Sequence, residues 1–238
     1  MMDLNKKEPQ IYIFTGHYGS GKTETAVNFA MHLKKLSPER KVAIVDMDIV
    51  NPFFRTADAT KPLEEQGIRV EIPLYAHSNV DIPALTPQME YLMGEKDVDL
   101  VLDIGGDDVG AKAVGRYAET IQKRKYDLFF VFNKNRPFTK DLPSALKIFY
   151  EIQECCTIPF TGLVNNTHLL QYTDIGTVAS GLPLAEEITK ATGVPMAFNS
   201  VFKSVLEQAS QEELAAFKNP ILPMEEYIKL LWNRKASF

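Results

Sequence analysis

The chain has 238 residues, 45% of them hydrophobic and 24% charged, with a formal net charge of −5 and two cysteines. These proportions are those of a globular protein with enough chain to bury a core; two adjacent cysteines leave no disulfide framework, and the acidic balance argues against a broad nucleic-acid footprint, though not against a local basic patch. Residues 1–9 are polar, without the apolar core of a secretory signal, and nowhere do 18 apolar residues run together, so a cytoplasmic protein is expected.

The first strong element is residues 10–15, where Ile11, Tyr12, Ile13 and Phe14 form the apolar run of a buried strand. It leads into Gly16-His17-Tyr18-Gly19-Ser20-Gly21-Lys22-Thr23, which reads G-x-x-x-x-G-K-[ST], the pattern of a phosphate-cradling loop. A helical pattern follows over 23–36 and is closed by Ser37-Pro38. The order has a physical reason: glycines let the backbone turn its N–H groups inward, and the helix N-terminus adds partial positive charge. Lys22 then offers a point charge for the β- and γ-phosphates and Thr23 a hydroxyl for Mg²⁺, with Glu24 counted in the same binding stretch.

Strands are expected at 41–46, 69–74, 100–103, 127–132, 161–165 and 194–199, and helices at 111–125, 140–155 and 177–192; residues 76–87 read as a surface loop. The second strand ends in Asp46-Met47-Asp48, placing two carboxylates at the edge where parallel sheets bind ligands. The fourth gives Leu100-Val101-Leu102-Asp103-Ile104-Gly105-Gly106, an apolar run closed by a carboxylate suited to metal-bound water, with Gly106 placed to turn an N–H toward a terminal phosphate. Asp107 and Asp108 read as solvent-facing or helix-capping, and Cys155 and Cys156 as small apolar residues closing a helix rather than a ligand pair. The tail, 220–238, reads as an amphipathic helix with Tyr227, Ile228, Leu231 and Trp232 on one face, packed on the sheet.

Alternating short strands and helices imply an α/β fold: one domain over 1–238, a three-layer αβα sandwich around a mostly parallel seven- or eight-stranded sheet. With residues 16–23, Asp46, Asp48, Asp103 and Gly106 in this order, the chain resembles the MinD/ParA/CobQ/CobB group of P-loop proteins, in the class that also holds nitrogenase iron proteins and signal-recognition GTPases. The resemblance implies a Mg²⁺-dependent ATPase acting as a nucleotide-controlled switch in cofactor insertion, positioning or regulation, with a nucleotide-linked homodimer and a protein partner. It makes Asp48 the carboxylate that orients attacking water, Asp46 one near the metal, and Thr23 and Asp103 the residues that hold Mg²⁺.

Two departures stand out. His17 and Tyr18 occupy positions where many relatives carry a signature lysine and a glycine, so a permanent cation reaching across a dimer is missing. After the fifth strand, Asn133-Lys134-Asn135-Arg136 begins like the guanine-reading N/T-K-x-D but has Arg136 where the carboxylate is needed. Asn165 or Asn166 resembles the adenine-reading asparagine of the ATP-binding relatives, so ATP/ADP is the expected nucleotide. Two other readings stay open: a biosynthetic enzyme of the CobB or dethiobiotin-synthetase type, with Asp107, Asp108 and Lys112 near its substrate, and a nucleotide-binding module that does not hydrolyse.

Overall fold

The structure is a computed structural model describing residues 8–47, 56–72, 86–106 and 108–228, the side chains of residues 108 and 109 excepted. Its strands are β1 (Ile11–Thr15), β2 (Lys41–Met47), β3 (Arg69–Glu71), β4 (Val98–Ile104), β5 (Tyr126–Phe132), β6 (Gly162–Asn165), β7 (Met196–Phe202) and β8 (Ile221–Met224). They form one sheet in the order β3-β2-β4-β1-β5-β6-β7-β8, with every pairing parallel. The helices are α1 (Lys22–Leu36), α2 (Thr60–Glu65), α3 (Pro87–Gly94), α4 (Asp108–Arg116), α5 (Ala118–Gln122), α6 (Leu142–Cys156), α7 (Ile175–Ala179), α8 (Leu182–Thr192), α9 (Lys203–Leu206) and α10 (Gln211–Leu214). This is the expected three-layer α/β fold, with eight strands. No described helix is long and apolar enough to cross a membrane.

Side-chain alternation along the strands builds the two apolar layers. In β1, Ile11 and Ile13 face the layer shared with Leu100, Leu102, Phe130 and Phe149, while Tyr12 and Phe14 face the layer shared with Phe29, Phe129 and Phe198. The second layer is aromatic: Phe29 of α1 lies 4.8 Å from Tyr12, 5.2 Å from Phe14 and 5.8 Å from Phe198, ring centre to ring centre. Each such ring stabilises the fold by roughly 1.5–3 kcal/mol through burial. α1 is thereby fixed to the sheet, and the loop before it inherits that rigidity.

The sheet order places β1 between β4 and β5, so β2, β3 and β4 build one side of it and the strands from β5 onward build the other. The crevice at the carboxyl ends of such strands is where open α/β sheets take their ligands.

Four expected elements differ. The helix over 220–238 does not begin as one: Leu222 and Met224 are buried at alternate positions while Pro223 faces out, giving the edge strand β8 beside β7. Proline is tolerated there because an edge strand leaves one side unpaired. Tyr227 and Ile228 pack against the α1 layer, and Leu231 and Trp232 lie outside the described residues. The helix over 111–125 starts at Asp108 and breaks at Tyr117, and that over 177–192 breaks at Ser180-Gly181 before Pro183. Of the expected loop 76–87, residues 76–85 lie outside the described set and Pro87 opens α3, capped by Thr86, whose hydroxyl oxygen accepts from Met89 N–H at 3.3 Å.

Candidate functional site

The loop between β1 and α1 turns on two left-handed glycines, Gly19 (φ 79°) and Gly21 (φ 81°). Ser20 N–H donates to His17 O at 3.0 Å, closing the turn, and Gly21 is the N-cap of α1 without any side-chain cap. The first turn of this fifteen-residue helix therefore faces the loop without a hydrogen bond from an N-cap side chain. Within the concavity the Ser20 hydroxyl is buried with no hydrogen-bond partner, as is Thr15 Oγ1 at the end of β1. A buried polar atom left so costs free energy unless a ligand or water completes it. Lys22 and Thr23 are 6% exposed, at the start of α1.

Across the crevice, Asp46 of β2 and Asp103 of β4 are register partners, 1% and 0% exposed. Thr56, buried just before α2, donates its hydroxyl to Asp103 Oδ2 at 3.2 Å. No sequence pattern pointed to Thr56; an isolated threonine after Arg55 carries no motif. Gly106 packs so closely on the glycine loop that a Cβ there would collide with Gly16 O, joining the two expected halves of the site. Asp48 and Asp107 lie outside the described residues. Among the described residues no three His, Cys, Asp or Glu side chains gather as a metal site.

The segments after β5 and β6 wrap the far side of the loop. Arg136 donates its Nε–H to Gly19 O at 3.0 Å, and Asn166 donates Nδ2–H to Ser20 O at 2.7 Å. Asn133, fully buried, ties the two segments together: its Oδ1 accepts from Asn135 and His168 N–H, and its Nδ2 donates to His168 O. Lys134 donates from Nζ to Ser180 O at 2.9 Å. Burial and then the Arg136 charge push the His168 imidazole down to about 4, so it is neutral at pH 7.

Three expected ligand contacts are engaged elsewhere. Asn165 is fully buried; its Nδ2 donates to Val178 O and Asn199 Oδ1, both at 3.0 Å, and its Oδ1 accepts from Thr167 N–H. Both amide functions of Asn165 are thus engaged within the protein, with β7 and the segments that follow β6. The Glu24 carboxylate turns away from the loop to accept Tyr227 N–H at 2.8 Å and Ile228 N–H at 3.0 Å. Burial, only partly opposed by those N–H groups, pushes the Glu24 carboxyl up to about 7. His17 stacks on Phe138 at 4.2 Å, and its Nδ1 lies 3.1 Å from Tyr18 O, so the imidazole packs against its own chain. Tyr18 beside it is 58% exposed. Lys112 and Arg116 lie on the exposed side of α4.

Cys155 and Cys156 close α6 as expected and form no disulfide with each other; Cys156 is buried among apolar residues.

No protein-family model and no curated protein matches the sequence. Solved structures that resemble it include FlhF complexed with GTP/Mg²⁺ (18% identity, TM-score 0.47, covering 80% of this chain and 64% of that one). Others are FtsY from Mycoplasma mycoides (18%, 0.45, 84% and 62%) and the signal recognition particle 54 kDa protein from Aeropyrum pernix K1 in complex with GDP (17%, 0.49, 82% and 41%). The chain thus spans less than two thirds of the length of each of these three. On its own geometry, with β1, the glycine loop and α1 central in an eight-stranded parallel sheet, the chain has the three-layer α/β fold of P-loop proteins.

Proposed function

We propose that residues 16–23 bind a nucleoside triphosphate with Mg²⁺ and that the protein hydrolyses it slowly, its nucleotide state switching contact with a protein partner. The observation that carries this reading is the uncapped start of α1 opening over left-handed glycines beside the buried, unpartnered Ser20 hydroxyl, with Asp46 and Asp103 side by side on the adjacent strands β2 and β4. Those donors suit an anion and those carboxylates suit its counter-cation.

In this reading Lys22 and the loop N–H groups stabilise charge developing on the phosphates. Thr23 and Asp103 would hold Mg²⁺, with Asp46 adjacent and Thr56 fixing the Asp103 carboxylate. The ion supplies neutralisation of the phosphate oxygens. Asp48 keeps the water-orienting role that the resemblance implies, and Gly106 couples the Asp103 segment to the loop.

ATP remains the proposed nucleotide. The position where a guanine-reading carboxylate would stand is Arg136, whose Nε is given to Gly19 O, and Asn133 is consumed in joining two loops. A switch of the MinD/ParA kind, with a nucleotide-linked homodimer, is the working form; with His17 stacked on Phe138, the dimer would function without a cation from that position. The test is equilibrium binding of ATP and GTP with Mg²⁺ to the wild type and to Lys22→Ala, with light scattering for dimer formation. ATP bound in preference to GTP and lost in Lys22→Ala supports the site; equal ATP affinity in both proteins removes it.

A further inference from the structure

We infer that Arg136 and Asn166 are positioning residues for the phosphate cradle, setting the direction in which its backbone N–H groups point; this rests on the nucleotide reading of residues 16–23. The argument is one of peptide geometry. In a trans peptide the C=O and the following N–H point to opposite sides of the chain. Asn166 takes hold of Ser20 O, so the N–H of Gly21 is turned the other way, to the side away from β6. Arg136 takes hold of Gly19 O, so the N–H of Ser20 is turned toward His17 O, which it meets at 3.0 Å.

Glycine-rich loops need such restraint. Gly19 and Gly21 reach their left-handed conformations freely but also leave them freely, and a loop that samples several peptide orientations must lose that freedom when an anion binds. Two side chains holding consecutive carbonyls remove much of it beforehand. Both holders are themselves held. Asn166 is 3% exposed, with its own N–H on Phe132 O, and Arg136 closes a turn through Arg136 N–H to Asn133 O. The close fit at Gly21 shows how tightly the brace is set, since a Cβ there would collide with Asn166 Nδ2. The brace also links chemistry that is separate in sequence. The segments after β5 and β6 flank the expected base position, so what they do at the base reaches the phosphate loop through these two bonds.

The role of Arg136 is thereby orientation through one specific atom, which a substitution can isolate. Glutamine carries its Nε2 at the same number of bonds from the backbone as arginine carries Nε, and donates without a charge.

The experiment measures binding of a non-hydrolysable ATP analogue with Mg²⁺, and of inorganic tripolyphosphate, to the wild type, Arg136→Ala, Arg136→Gln, Asn166→Ala and Lys22→Ala, with thermal unfolding of each. Arg136→Ala and Asn166→Ala are expected to weaken both ligands alike by about tenfold, the scale of one lost charge-assisted or buried hydrogen bond. Arg136→Gln should restore affinity to within about threefold of wild type, as a neutral donor replaces a charged one. Loss for the ATP analogue alone would mean base contact, and failure of Arg136→Gln to recover would mean that charge matters and direction does not; either overturns the inference, as does wild-type affinity in both alanine variants. If an alanine variant fails to fold, the Arg136→Gln comparison with wild type decides in its place. Absence of any Lys22-dependent binding by the wild type would overturn both the inference and the nucleotide reading, and is told apart from failure of the brace alone by the Lys22→Ala control.

Discussion

Asn28 and Glu225 are joined as two strands would be: Asn28 Nδ2 donates to Glu225 O at 2.9 Å, and Asn28 Oδ1 accepts Glu225 N–H at 2.7 Å. A side chain of α1 thus acts as backbone for the chain leaving β8. One turn earlier on the same helix, the Glu24 carboxylate accepts the N–H groups of Tyr227 and Ile228. Replacing Asn28 by Ala removes both bonds from a site where Asn28 is 4% exposed. The expected cost is about 1–3 kcal/mol, since backbone groups of Glu225 lose their partners. Denaturant unfolding of Asn28→Ala against wild type measures it, and an unchanged midpoint would show that the segment is held by other contacts.

The Glu24 carboxyl makes the same attachment depend on pH. Its ordinary value is 4.5 and burial raises it to about 7, with the neighbouring Glu226 charge adding to the rise and the Tyr227, Ile228 and Asn28 donors opposing it. The folded chain therefore binds the proton more readily than the unfolded chain between these values. A group with a raised folded value contributes stability that is full below 4.5 and is lost as pH rises toward about 7. Its size is on the order of 3 kcal/mol at most. Glu24→Gln, which keeps the neutral form at every pH, should flatten the fall in melting temperature as pH rises from 4.5 to about 7 relative to wild type. An identical pH profile in the two proteins would remove Glu24 as the cause.

What the sequence made legible here was whatever a short local pattern determines. Ile11 to Phe14 and the turn of the glycine loop were readable because strand burial and glycine turns have local signatures, and the place of Asp103 because it closes an apolar run. The partners of those residues were not readable, because they come from far along the chain. Thr56 reaches Asp103, Asn166 reaches Ser20 and Tyr227 reaches Glu24 only after eight strands align. Asn165 and Asn166 show the limit sharply: adjacent and chemically identical, they face opposite ways at a strand end, one into the sheet edge and one onto the loop. The tail misled for a related reason, since Ile-Leu-Pro-Met carries too few residues for its two-residue period to outweigh the helical pattern after it.

The two cysteines should differ in reactivity although they are neighbours. Burial, reinforced by Cys155, pushes the Cys156 thiol up to about 12, leaving almost no thiolate at pH 8, while Cys155 is partly exposed. Iodoacetamide at pH 8 is expected to alkylate Cys155 in the native protein and both residues after unfolding, as read by peptide mass spectrometry. Rapid native alkylation of Cys156 would contradict its place in the α6 layer.

Two glycines with the same backbone conformation separate stability from binding. Gly21 (φ 81°) and Gly193 (φ 76°) are both left-handed, one before α1 and one after α8. A Cβ at Gly193 meets nothing within 4 Å, whereas at Gly21 it collides with the amide that holds the loop. Gly193→Ala is therefore expected to cost about 1 kcal/mol from backbone strain alone and to leave ATP affinity unchanged. Gly21→Ala adds displacement of Asn166 to the same strain, releasing the Ser20 carbonyl and turning the Gly21 N–H. ATP affinity should fall by more than tenfold, beyond what one lost bond gives, because loop and brace move together. Calorimetric titration with thermal unfolding of both variants gives the two quantities. Equal ATP affinity in Gly21→Ala and Gly193→Ala would show that the loop recovers its shape without the brace, and would place the phosphate contacts elsewhere.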